Sequence, residues 1–198
     1  MIRAFVAVEL DETLRRAAAE AQAQARQRLL QRLGADARIQ WIKPESIHLT
    51  LKFLGDIAEE RLEAMRQALA GAVGTLPAFA VDVGGLGVFP DVRGPRIFWV
   101  GLHERADELS RLAAAVETAL EGLGVPRERR PFNAHLTLAR IKDQWREVGQ
   151  ALAASGALDG AVTVGRLVVS TISLMQSRLE RSGAVYTRVW QVPLRPVE

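Results

Sequence analysis

A chain of 198 residues, 48% of them apolar, has the material for one ordinary domain or two small lobes sharing a core. It has no cysteine, which excludes disulfides and thiolate metal sites, and its 26 Lys and Arg against 23 Asp and Glu leave a net charge of +3, suited to an anionic substrate rather than to an extended nucleic-acid groove. The opening apolar run is broken by Glu9 and Asp11 and is too short for a signal peptide or membrane span, so the expectation is a cytoplasmic protein with no membrane association.

Residues 2–8 are short, apolar and β-branched, and predict a buried strand. Asp11 caps the helix that follows, which runs to about Leu33 and stops at Gly34. Strands at 39–42 and 47–54 flank a turn at Pro44, and Gly55-Asp56 ends the second. Leu62, Met65, Leu69 and Val73 have helical spacing within 59–73. Residues 79–88 read as a strand weakened by Gly84-Gly85, 90–95 as a loop, 96–102 as a strand and 106–122 as an amphipathic helix. Pro126 and Pro131 frame a basic loop, Arg127-Glu128-Arg129-Arg130, before a strand at 132–141 and a short helix at 145–153. The tail is strand at 162–169, 172–180 and 184–192, with Arg181-Ser182-Gly183 as a hairpin turn.

The tetrapeptide His-Leu-Thr-Leu occurs twice, at 48–51 and 135–138, and takes two of the three histidines. The copies lie 87 residues apart, the length of a half-domain. The expected fold is therefore α+β, with two pseudo-symmetric lobes, each an antiparallel sheet with helices outside, around a central cleft. All 198 residues form one bilobal domain in this reading. Strand side chains alternate, so in each copy the leucines anchor in the core while the histidine and threonine line the cleft. Two imidazoles and two hydroxyls suit a phosphodiester. A neutral imidazole activates the incoming oxygen, a protonated one serves the leaving oxygen, and hydroxyls hold the non-bridging oxygens. The spacing offers no metal set and no phosphate loop of the Walker type, so neither metal nor cofactor is expected. His103 lacks the motif and reads as a surface or capping residue.

These features resemble the 2H phosphoesterase superfamily, and within it the RNA 2′,3′-cyclic phosphodiesterases, also called 2′-5′ RNA ligases. The likeness spans nearly the whole chain. It runs from residues 3–8 through 41–44, 48–55, 87–90, 95–101 and 131–140 to 174–177 and Tyr186. It implies metal-independent hydrolysis of an RNA or nucleoside 2′,3′-cyclic phosphate to a 2′-phosphate, with His48 as proton donor to the 3′ oxygen and His135 as proton acceptor from water. Thr50 and Thr137 would hold the phosphate. Phe53 and Arg140, each five positions after a motif histidine, would flank the nucleobase. Simple alternation puts both on the wrong face, so that role needs a bulge or strand end. The residues by themselves do not say which histidine is acid and which is base.

Lys52 shares the His48 face of an ideal strand and is a candidate for phosphate charge. Trp41 could rim the groove, with packing the stronger use, Phe89-Pro90 shapes a turn, and Arg129 and Arg130 could attract an RNA end. The expected partners are RNA ends or small cyclic nucleotides, with no obligate protein partner. The reverse, 2′-5′ ligation, is open to the same site. The competing class is a non-catalytic RNA-end binding module, which would bind without turnover.

Overall fold

The computed structural model describes residues 1–33, 38–103, 106–158, 162–180 and 183–197. The expected helix stop at Gly34 and the hairpin residues Arg181 and Ser182 lie outside them. The first strand, β1 (Ile2–Glu9), is buried along nearly its whole length apart from Arg3, as the apolar run from Ala4 to Val8 requires of a strand covered on both faces. Asp11 then caps α1 (Glu12–Leu33): its Oδ1 accepts the Leu14 N–H at 2.7 Å. The chain continues through β2 (Ile39–Trp41), β3 (His48–Ile57), α2 (Leu62–Val73), β4 (Phe79–Phe89), β5 (Ile97–His103), α3 (Ala106–Glu121), β6 (His135–Ile141) and α4 (Trp145–Ala154). It ends in β7 (Thr163–Val169), β8 (Thr171–Glu180) and β9 (Gly183–Pro193).

The two halves join in one antiparallel sheet, ordered β7-β4-β5-β6-β3-β1-β8-β9, with β2 added to β6. Each half repeats a strand, helix, motif strand, helix path: β1-α1-β3-α2, then β5-α3-β6-α4. The halves also exchange strands. β4 follows α2 but pairs with β5, and β8 follows the second half but pairs with β1. Neither half therefore completes its sheet alone. The motif strands β3 and β6 lie at the centre, and the fully buried Leu49, Leu136 and Leu138 (Leu51 nearly so) point into the core beneath the helices.

The strand end expected at Gly55-Asp56 is a bend instead, and the weak point expected at Gly84-Gly85 is a second bend within a continuous strand. Gly55 has φ +71° and pairs with Ala4, and β3 runs on to Ile57 past a register shift against β1. Gly85, at φ +64°, sits in a similar shift between β4 and β5. Glycine reaches this left-handed region without the Cβ clash, so it lets a strand turn without ending. Among the described residues, no helix is long and apolar enough to cross a membrane.

Candidate active site

β3 and β6 pair through one residue on each side, Leu49 with Leu136. Continued in both directions, that antiparallel register sets His48 across from Thr137 and Thr50 across from His135. The leucines vanish into the core, and the four polar side chains stand half-buried on the other face. The histidines are diagonal neighbours, whose Cα atoms lie about 7–8 Å apart in an antiparallel pair. That spacing leaves room for a phosphate between two rings.

Each ring is fixed in the same way. His48 Nδ1–H donates to the Ser46 carbonyl at 2.8 Å, and His135 Nδ1–H donates to the Asn133 carbonyl at 2.7 Å. A carbonyl only accepts, which sets the tautomer and leaves Nε2 of both rings for the cleft. Both partners lie two residues upstream, so the segment entering each motif strand orients its histidine.

Each motif strand is also bulged at the same place. Opposite β1, Leu51 is the surplus residue of β3; opposite β5, Leu138 is the surplus residue of β6. The bulge reverses the alternation beyond it. Phe53 and Arg140 are thereby turned to the histidine face, the condition their expected role demanded. Phe53 is exposed, with its ring 6.0 Å from that of Phe5. Arg140 acts electrostatically on both histidines. The two do not line one cavity: Phe53 borders the space beside Thr50 and His135, and Arg140 does not.

The same bulge overturns the expectation for Lys52. It is buried at 5% exposure, with Nζ 2.7 Å from both Glu117 carboxylate oxygens and 2.9 Å from the Pro126 carbonyl. It clamps α3 and the basic loop to β3 instead of meeting phosphate. His103 Nε2–H donates to the Gly84 carbonyl at 2.7 Å, tying β5 to β4. Trp41 packs edge-on against Phe98, 6.2 Å away.

Sequence reasoning missed several neighbours. Phe5 stacks on His48 at 4.7 Å, and Tyr186 stands perpendicular to it at 5.2 Å. Phe89, read as a turn residue, is edge-on to His135 at 5.0 Å and backed by Trp99 at 5.1 Å. A Cβ on Gly87 would overlap the Trp99 ring, so glycine is needed there. Glu9 is the cross-strand neighbour of His48. Its carboxylate accepts from Ser173 Oγ at 2.7 Å, Arg188 Nε at 2.8 Å and Gln191 Nε2 at 3.2 Å. The available signal was a charged residue closing an otherwise buried strand.

Burial among these groups pushes His48 down to about 4. The Ser46 hydrogen bond opposes that shift, Arg140 adds to it, Glu9 opposes it and His135 adds to it. His135 is also lowered, by burial first, against its Asn133 hydrogen bond and with Arg140 contributing. Among the described residues, no three of His, Asp and Glu gather as a metal set.

A family model described as LigT like Phosphoesterase matches the chain twice, over residues 9–99 and 100–186, one match per half. The Archaeoglobus fulgidus RNA 2′,3′-cyclic phosphodiesterase is 32% identical over 185 residues, 93% of this chain and 96% of the relative. The protein of that name from Methanothermobacter thermautotrophicus is 33% identical, covering 94% and 95%. Among solved structures, TT0787 of Thermus thermophilus aligns over 100% of both chains with a TM-score of 0.72 and 28% identity. E. coli LigT complexed with 3′-AMP shares the fold at a TM-score of 0.70 and 23% identity, over 98% of both chains. With a family model matched once in each half and relatives of this identity along its length, the chain belongs to the LigT-like phosphoesterase family.

Proposed function

We propose that this protein hydrolyses RNA or nucleoside 2′,3′-cyclic phosphates to 2′-phosphates, using His48 and His135 as an acid–base pair. One observation carries the reading: two imidazoles on diagonal positions of one strand seam, each with Nδ1 held by a carbonyl and Nε2 left for the cleft. The names of the relatives, RNA 2′,3′-cyclic phosphodiesterase, supply the substrate class.

In this mechanism His135 Nε2 takes a proton from water as the water oxygen attacks phosphorus. The P–O3′ bond breaks on the opposite side, and His48 Nε2–H gives its proton to O3′. The product carries a 2′-phosphate and a free 3′-hydroxyl. His135 leaves protonated and His48 neutral, and exchange with solvent resets both. Thr50 and Thr137 hydroxyls donate to the non-bridging oxygens. Arg140 holds the nucleobase by stacking on its guanidinium, and Phe53, which borders the space beside Thr50 and His135, offers its ring to substrate there.

Glu9 supports giving His48 the acid role, because a carboxylate beside a ring favours its protonated form. Gly101 fills the same cross-strand position beside His135. Burial depresses His48 without ligand, and a bound phosphate anion opposes that depression by the same electrostatics. A ribose 5′-hydroxyl in place of water would give a 2′-5′ bond, although water at bulk concentration favours hydrolysis. The cellular setting of this reading is the cytoplasm, where RNA ends are found.

The test is product analysis on a nucleoside 2′,3′-cyclic phosphate with and without excess chelator. The expected result is the 2′-phosphate alone at an unchanged rate. His48→Ala and His135→Ala should each lower kcat by about 10³-fold while circular dichroism stays native. A 3′-phosphate product, loss of rate in chelator or full activity in either variant would overturn the reading.

A further inference from the structure

The two halves treat one gap in the sheet differently. β3 and β6 pair at only one position, so each motif strand leaves its partner on one side of the seam. In the first half that opening is sealed. β2 pairs with β6 from Ile39–Ile141 to Trp41–Ala139, and the Ile42 N–H bonds the Leu138 carbonyl at 2.9 Å. From α1, Gln22 Nε2 donates to the Ile42 and Leu138 carbonyls, both at 2.7 Å.

In the second half neither seal is present. The segment before His135 is the basic loop, and among the described residues no strand there pairs with β3. The helices give the matching position. Buried residues run Ala18, Ala21, Gln22, Ala25, Leu29 along α1 and Leu109, Leu112, Ala113, Val116, Leu120 along α3, with identical spacing. Ala113 therefore stands where Gln22 stands in the first half. A cavity of about 540 Å³ lies there, with Ala113, Thr50 and His135 among its lining residues.

A hydrolytic water needs only about 30 Å³. This chamber is instead in the size range of organic ligands. Phe53, Phe89 and Phe132 give it flat aromatic walls, and Arg130 lines it from the loop. Glu117 and Glu128 line it too; Glu117 is held by Lys52, and Glu128 accepts from the Arg130 backbone N–H at 3.1 Å without a side-chain ion pair to its guanidinium. Aromatic faces accept any unpaired base, and a guanidinium suits a phosphodiester.

The geometry points to a second nucleotide subsite: the chamber takes the nucleoside next to the one bearing the cyclic phosphate, with Arg130 on the phosphodiester between them. The preferred substrate is then an RNA end of at least two nucleotides. This inference rests on the hydrolytic reading above, because it assumes a cyclic phosphate at the seam.

The test compares kcat/KM for a nucleoside 2′,3′-cyclic monophosphate with that for a dinucleotide ending in a 2′,3′-cyclic phosphate. The intact protein should favour the dinucleotide by about tenfold or more. Ala113→Gln copies the seal of the first half and should bring the ratio close to one, chiefly by loss on the dinucleotide. Ala114→Leu, at an exposed cavity-lining position on α3 where leucine suits a helix, should lower the ratio in the same direction without touching the core. Arg130→Ala should lower it too. Equal turnover of both substrates by the intact protein, or an unchanged ratio in folded Ala114→Leu and Arg130→Ala, would overturn the subsite and leave the hydrolytic reading standing. Turnover of neither substrate would overturn both.

Discussion

His48 and His135 occupy matching positions on matching strands, and each has Nδ1 held by the carbonyl two residues upstream. Their surroundings differ. His48 is packed between the Phe5 face and the Tyr186 edge, with Glu9 across from it on β1. His135 has the edge of Phe89, with Gly101 in the position that Glu9 holds in the other half. The repeated tetrapeptide builds a symmetric skeleton, and unrepeated residues on β1, β4 and β9 make its ends electrically unequal. An acid and a base need such inequality, because identical sites would titrate alike.

The bulges allow a sharper comparison. Lys52 and Ala139 fill the same post-bulge position in the two halves, but only Lys52 carries a charge into the interior. Its Nζ is spent on Glu117 and the Pro126 carbonyl. Removing one partner of a buried pair leaves the other without compensation. Lys52→Met should therefore destabilise the protein by about 3 kcal/mol, read from denaturant unfolding. Glu117 is 17% exposed, which sets the estimate at the lower end of the usual range. Lys52→Met with Glu117→Leu should recover most of the loss. Stability unchanged by Lys52→Met alone would mean that the clamp holds nothing.

The repeat was legible in the sequence because two exact copies of a tetrapeptide need no structural context. The helices were legible from their spacing: Leu62, Met65, Leu69 and Val73 do lie along α2, and the last three are fully buried. The bulges were not legible. Leu51 and Leu138 look like any strand leucine, and the surplus residue exists only relative to β1 and β5. That one irregularity decided two outcomes, turning Lys52 inward and Phe53 outward. The contacts from Phe5, Tyr186 and Glu9 were equally hidden, because they depend on β1 lying beside β3 and on β9 reaching the same face. The exchange of β4 and β8 between halves is likewise a tertiary choice that local pattern does not encode.

The burial that makes the two histidines unequal should also appear in stability. Burial pushes His48 from an ordinary value of 6.5 to about 4, so between those values the unfolded chain holds a proton that the folded chain lacks. Stability then rises with pH across that interval and is lost as pH falls through it. His48 alone should cost about 2 kcal/mol at pH 5 relative to pH 8. His135, lowered for the same reason, adds to the effect with the same sign. Denaturant unfolding of the intact protein and of His48→Gln at both values isolates the contribution, since carboxylates elsewhere affect both proteins alike. Equal losses in the two would place the His48 ring in solvent.

The smallest expected effect tests Glu9 itself. Burial works to raise its carboxyl, but hydrogen bonds from Arg188 and Ser173, with the Arg188 charge, hold it below the usual carboxylate range. These partners favour its ionised form. The charged and titratable groups facing His48 are Glu9, which favours the imidazolium, and Arg140 and His135, which oppose it; Tyr186 adds a ring edge. Glu9→Gln removes the favourable charge, lowers the His48 pKa and moves the alkaline limb of kcat to lower pH by less than about one unit. Arg188→Met removes a neutralising partner of Glu9 and should move the limb the other way. Opposite shifts from the two variants separate an electrostatic role from a clasp that only fastens β9 to β1, since both substitutions weaken the clasp. Shifts in the same direction, or none, would leave Glu9 as the clasp and require another source for the inequality of the two rings.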